Sequence, residues 1–400
     1  MRTNSLGLAL RRTLTVLFLG GLPVFFLAYW LEPSGHGFGY DFYIFRSAGD
    51  AYLHGRSPYP AAQVAILAKQ HSFVYPAPMA ALFVPFALLP AHLGAIVFAL
   101  LAAGCIYATL YLLDVRDPRV YGVVTLWLPV LNGSRLGTIS PLLAFLVAGL
   151  WRYRDRPRTA SFFLAAILVA KLFVWPLALW LLLTRRWRAA GAGAAIAAVV
   201  TLIAWAPIGF AGLGSYTHVL SVLAQAEQAQ SFSVVALGIA AGLASHGAHA
   251  VAVLSAGLML GLGLVLRLTR GRGAATDFGV FTLCVGAALA ASPIVWNHYF
   301  VLLLVPVAIA APSFGPIWLL PLALWMVPVQ SNGGLARIAV AVAVPAAVLA
   351  WAVALHVRSV RRPGREGSER PERTTAGMAR TLEGVASSIP SAGEGAPRGA

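Results

Sequence analysis

The chain is poor in acid, in lysine and in cysteine. Of its 400 residues 13 are Asp or Glu against 29 Lys or Arg, and Lys69 and Lys171 are the only lysines. Only eight acids precede the C-terminal tail: Glu32, Asp41, Asp50, Asp114, Asp117, Asp155, Glu227 and Asp277. So few carboxylates leave little material for a metal cluster, and no such constellation is visible. His246 and His249 have helical spacing but no nearby acid or thiolate, and Asp114-x-x-Asp117 is a poor match to a sugar-nucleotide metal motif. Cys105 and Cys284 both fall inside apolar runs, which argues against a disulfide framework or a zinc site. Phosphate-binding glycine loops, dinucleotide fingerprints and serine-hydrolase elbows are also missing, so no cofactor is expected and ATP- or nucleotide-sugar-driven chemistry is disfavoured.

What the chain has is apolar surface. With 59% hydrophobic and 10% charged residues it reads as an all-α polytopic membrane protein. The formal charge of +16 sits in arginine-rich segments beside apolar runs, notably 151 to 158, 184 to 188 and 267 to 272. That is the positive-inside pattern, not a nucleic-acid surface. An apolar run over 14 to 31 follows Arg11 and Arg12 and lacks a small-x-small cleavage site, so it is expected to be an uncleaved first span. Alternation of apolar runs and basic loops predicts about twelve transmembrane helices with both termini cytoplasmic, in the plasma membrane. Residues 1–356 form the membrane domain, and 357–400, rich in Arg, Glu, Gly, Ser and Pro, are expected to be a disordered cytoplasmic tail.

Polar side chains concentrate in a first outer loop, 32–76. Helical spacing from Phe42 to His54, with Asp41 at the N-cap position and Gly55 at a left-handed C-cap, predicts an interfacial helix; a second is expected from Ala61 to Gln70. Asp41, set among Tyr40, Phe42 and Tyr43, is the outer acid best placed for partial desolvation. It could serve as a general base on a hydroxyl, or simply cap the helix. Asp114, Asp117 and Glu32 read as solvated loop charges. Asn132 to Thr138 break an apolar stretch and make a candidate cavity wall. Lys171 and Arg135 interrupt apolar segments, either to meet a phosphate or to snorkel to headgroups. His298, beside Trp296 and Asn297, could be structural or could handle a proton.

The run from Asp41 to Ala48, followed by Gly55-Arg56-Ser57-Pro58-Tyr59 and Phe73-Val74-Tyr75-Pro76, resembles the first outer loop of glycosyltransferase family 87. The resemblance continues through Lys171 to Pro176 with Arg185 to Arg188, and through Ser292-Pro293, Trp296 and His298, over about residues 10 to 355. It implies a GT-C-type bundle and inverting, metal-independent sugar transfer from a polyprenyl-phosphate donor, by default a hexose such as mannose, to a glycolipid or polysaccharide acceptor on the outer face. It further implies Asp41 as general base and Lys171, His298 and Arg135 around the donor phosphate. Tyr43, Arg46, Tyr59, Tyr75 and Trp296 would line the acceptor site or cavity. Two positions depart from the family pattern: Gly137-Thr138-Ile139-Ser140 replaces a Gly-Gln-polar sequence, and Ala77 stands where a second proline is common. The competing class is a lipid or small-solute transporter without covalent chemistry, which should place its polar residues at the bilayer midplane; here they favour the outer interface.

Overall fold

The computed structural model describes residues 38–69, 72–327 and 334–360, and these are helical, with no strand among them. The expected first span, the Ser331 to Gly334 turn apart from Gly334 itself, and the tail beyond Val360 lie outside the described residues.

The stretch expected to be the first outer loop contains α1 (Tyr40–Leu53) and a single turn, α2 (Val64–Leu67), shorter than the expected 61 to 70 helix. Two short helices, α3 (Ala77–Leu82) and α4 (Val84–Ala87), lead into the long α5 (Ala91–Leu112). Prolines at Pro78 and Pro85 sit in the first turns of α3 and α4, where a missing N–H costs nothing, and they restart the helix instead of extending it. Next come α6 (Pro118–Thr125), α7 (Leu128–Leu136) and α8 (Ser140–Arg152). Between α7 and α8 the axis turns by 117°. The polar break read in the sequence is thus a sharp bend between two short helices.

α9 (Pro157–Ala170) ends at Lys171, whose backbone is extended, and a 3-10 turn, Leu172–Val174, leads into α10 (Pro176–Leu183). The chain continues as α11 (Trp187–Trp205), α12 (Tyr216–Glu227), α13 (Val234–Ala240), α14 (Ser245–Arg270) and α15 (Ala274–Ala291). After the 3-10 segment Asn297–Leu303 come α16 (Leu304–Ala310), two further 3-10 pieces over 316 to 326, and α17 (Leu335–Val360).

Five of these helices are long and apolar enough to cross a membrane, or six if the bent α7–α8 pair counts as one span. The expected twelve is not reached among the described residues. Segments such as Pro157–Ala170 and Pro316–Met326 are apolar but too short to cross about 30 Å of hydrocarbon alone. By contrast α14, with exposed Leu254, Leu258 and Leu268, keeps its apolar surface outward as a lipid-facing helix does.

Candidate functional site

α1 is held by its aromatic side. Phe42 and Phe45 are fully buried and meet Phe83, Phe86, Phe98, Phe73 and Tyr75 at ring-centroid distances of 4.6 to 6.1 Å. Such offset and edge-on contacts add rigidity beyond area burial. The helix starts two residues earlier than capping logic predicts. Gly39, left-handed at φ 73°, is the cap residue, and its N–H donates to the Arg135 carbonyl at 2.8 Å. Asp41 therefore lies inside the first turn and makes no capping bond. Gly137 closes the same junction from the other side. It ends α7 at φ 69°, and a Cβ there would stand 2.6 Å from the Phe42 Cβ. The loop helix and the α7–α8 bend are thus stitched together beside Asp41.

Next to this junction lies a cavity of about 520 Å³. Asp41, Tyr75, Lys171, Trp296 and His298, all singled out in the sequence, line it together. They come from α1, the loop before α3, the α9 break and the segment after α15. Arg135, Tyr43, Arg46 and Tyr59 do not line it. Arg46 donates to the Ala87 and Leu89 carbonyls at 3.2 and 3.1 Å, finishing α4 where helical partners run out. Tyr59 is stacked on Trp205 at 5.4 Å and donates its hydroxyl to the Tyr75 carbonyl at 3.1 Å, so it backs the wall. Tyr43 is 39% exposed and packs its ring against Phe42, and Arg135 contributes its carbonyl to the Gly39 tie.

Lys171 does not snorkel. Its Nζ sits 3.5 Å from the Tyr299 ring centroid, 5.2 Å from Tyr75 and 5.7 Å from Phe173, with the Tyr75 hydroxyl at 3.4 Å. Three ring faces can stabilise an ammonium without neutralising it. Asp41 feels this charge, yet burial wins: desolvation pushes its carboxyl up to about 6, against the opposing pull of Lys171. A carboxylate tuned this close to neutrality is suited to accept a proton.

The cavity also holds a residue that was passed over in the sequence. Glu227, at the end of α12, is 6% exposed, and burial followed by the Asp41 charge pushes its carboxyl up to about 7. Tyr216, Leu220, Leu223, Ala224 and Glu227 form one face of α12 against the cavity, and their helical spacing is the signal that would have found it. Asn132 and Asn297 are the other additions. The Asn132 amide nitrogen and both polar side-chain atoms of Asn297 are buried without a hydrogen-bond partner, and both residues line the cavity. Buried amides in that state are costly unless a bound group or water completes them.

The remaining acids behave differently. Asp117, expected to be a solvated loop charge, caps α6, pairs with Arg119 at 2.7 Å and accepts from the Phe314 N–H at 3.0 Å. Asp277 accepts from Arg154, Arg186 and the Trp180 indole at 2.8 to 2.9 Å.

No curated protein and no solved structure matches the chain. The sequence model of glycosyltransferase family 87 does, over residues 73–293, more than half of the chain. That stretch contains Tyr75, Asn132, Lys171 and Glu227, while Asp41 precedes it and Trp296 and His298 follow it, so these last three join the site through the fold. The chain, an all-helical protein with membrane-spanning helices, belongs to glycosyltransferase family 87.

Proposed function

We propose that the protein transfers a sugar, a hexose such as mannose, from a polyprenyl-phosphate donor to a hydroxyl of a glycolipid or polysaccharide acceptor at the outer face of the plasma membrane. The observation that carries this reading is the convergence of Asp41, Lys171 and His298 on one cavity from three distant parts of the sequence.

The roles follow from charge. The acceptor hydroxyl attacks the anomeric carbon as the bond from that carbon to the phosphate oxygen breaks. Asp41 takes the hydroxyl proton, and the electron pair of the broken bond stays on the phosphate. Lys171, caged by rings and not neutralised by an acid, faces the charge that builds on the leaving phosphate. His298 and the Asn297 amide are placed to donate to phosphate or sugar oxygens, and Asn132 and Glu227 to hold hydroxyl groups. Attack opposite the leaving group inverts the anomeric centre, and no step requires a metal. The apolar part of the wall, including Leu172, Phe173 and Ile294, suits the first isoprene units of the donor.

The test is to reconstitute the purified protein with polyprenyl-phosphate mannose and a glycolipid acceptor fraction. The expected result is loss of the sugar-phosphate bond and a product of inverted anomeric configuration by NMR. Movement of intact donor across the vesicle bilayer without cleavage would reject this reading in favour of a transporter.

A further inference from the structure

A second cleft, of about 460 Å³, lies between α10, the C-terminal half of α14 and the start of α11. It shares no residue with the cavity around Asp41. Its apolar lining includes Leu182, Leu264 and Leu268, and Arg185, Trp187 and Arg267 join them. α14 is one of the five candidate spans, and Arg267 stands in its last turn, so the cleft runs from apolar helix surface to a basic end.

The arginines near this cleft are not equivalent. Arg154 and Arg186 are paired with Asp277 and Asp155 at 2.8 to 3.8 Å. Arg185 and Arg267 have no acid partner among the described residues. The one side-chain hydrogen bond recorded for the two is Arg267 Nε–H to the Leu183 carbonyl at 3.1 Å, which fixes the stem of that side chain. Arg185 is also held at φ 63°, the left-handed position after a helix end where glycine would be free of strain. Strain of this kind is tolerated where the surroundings or a function hold the residue in place.

We propose that this cleft is a binding site for one anionic glycerophospholipid. Arg185 and Arg267 hold its phosphate, an acyl chain lies along Leu264 and Leu268, and Trp187 sits at headgroup depth. The occupant is a lipid and not a soluble anion because the two arginines line an otherwise apolar cleft at the end of a candidate spanning helix, the setting in which basic pockets between helices take headgroups. Tryptophan at the rim is the usual side chain of that interface. This site does not depend on the transfer reaction proposed above.

Native mass spectrometry of the full chain, delipidated in detergent and titrated with phosphatidylglycerol or phosphatidylcholine, tests it. One phosphatidylglycerol should be retained in preference to phosphatidylcholine, and Arg185→Gly and Arg267→Gln should each weaken retention about tenfold. Arg185→Gly separates backbone from side chain. Without lipid it should melt no lower than the parent protein, because glycine suits the left-handed position, yet it should gain less from phosphatidylglycerol. Unchanged phosphatidylglycerol retention in Arg185→Gly would overturn the proposal. So would equal retention of the two lipids, or stabilisation by inorganic phosphate equal to that by phosphatidylglycerol.

Discussion

Two groups of buried charge sit in this molecule and are handled in opposite ways. Around Asp277, every charge is answered: two arginines and an indole N–H converge on one carboxylate, and Arg186 also reaches Asp155. Around the cavity, Asp41, Lys171 and Glu227 lie close enough to influence one another yet form no contact ion pair among the described residues. Neutralised charge locks helices together. Charge left unneutralised beside a cavity costs stability, and such a cost is retained where a ligand or a reaction uses it.

Each prediction sets one group against the other. The largest effect is expected from Asp41→Asn, which removes the proposed base without changing shape. Transfer should fall by about two to four orders of magnitude, with thermal stability equal to or above that of the parent, because a desolvated charge is gone. Asp277→Asn should do the reverse. Leaving two arginines short of their partner should cost about 3 kcal/mol of stability, seen as a lower melting temperature, while transfer per folded molecule is kept. A transfer defect in Asp277→Asn larger than its loss of folded protein would erase the distinction.

Lys171→Met should lower transfer about a hundredfold by removing the charge proposed to face the leaving phosphate, with binding of donor weakened less than turnover. The smallest effect is expected from Gly137→Ala. The new methyl meets Phe42 and the left-handed backbone resists it, so stability should drop by about 1 to 2 kcal/mol. Transfer should fall only severalfold, as α1 shifts and carries Asp41 with it.

Part of the candidate site was legible because the sequence has so few acids: elimination among the outer acids leads to Asp41, and the family resemblance adds Lys171, His298 and Trp296, which line the same cavity. The cap at Asp41 was misread because Gly39 takes that place by going left-handed, a choice set by the tie to Arg135 across the fold. Glu227 was hidden for a related reason. Its helical spacing from Tyr216 becomes informative only once α12 turns that face toward the cavity. Arg46 and Tyr59 carry the right chemistry for a site but spend it on carbonyls of neighbouring turns. The helical class follows from composition. The number of spans does not, because hydropathy scores a proline-broken segment buried in protein as highly as one facing lipid.

The central claim, that the unpaired cavity charges perform the transfer, is tested most directly by its pH dependence. As the proposed base, Asp41 works only as a carboxylate, and its carboxyl is raised to about 6, so the rate should fall as pH drops through about 6. Lys171 favours the carboxylate, so Lys171→Met should move that acidic limb to higher pH, and the residual activity of Asp41→Asn should lack the limb altogether. An acidic limb of unchanged midpoint in both variants would contradict the account.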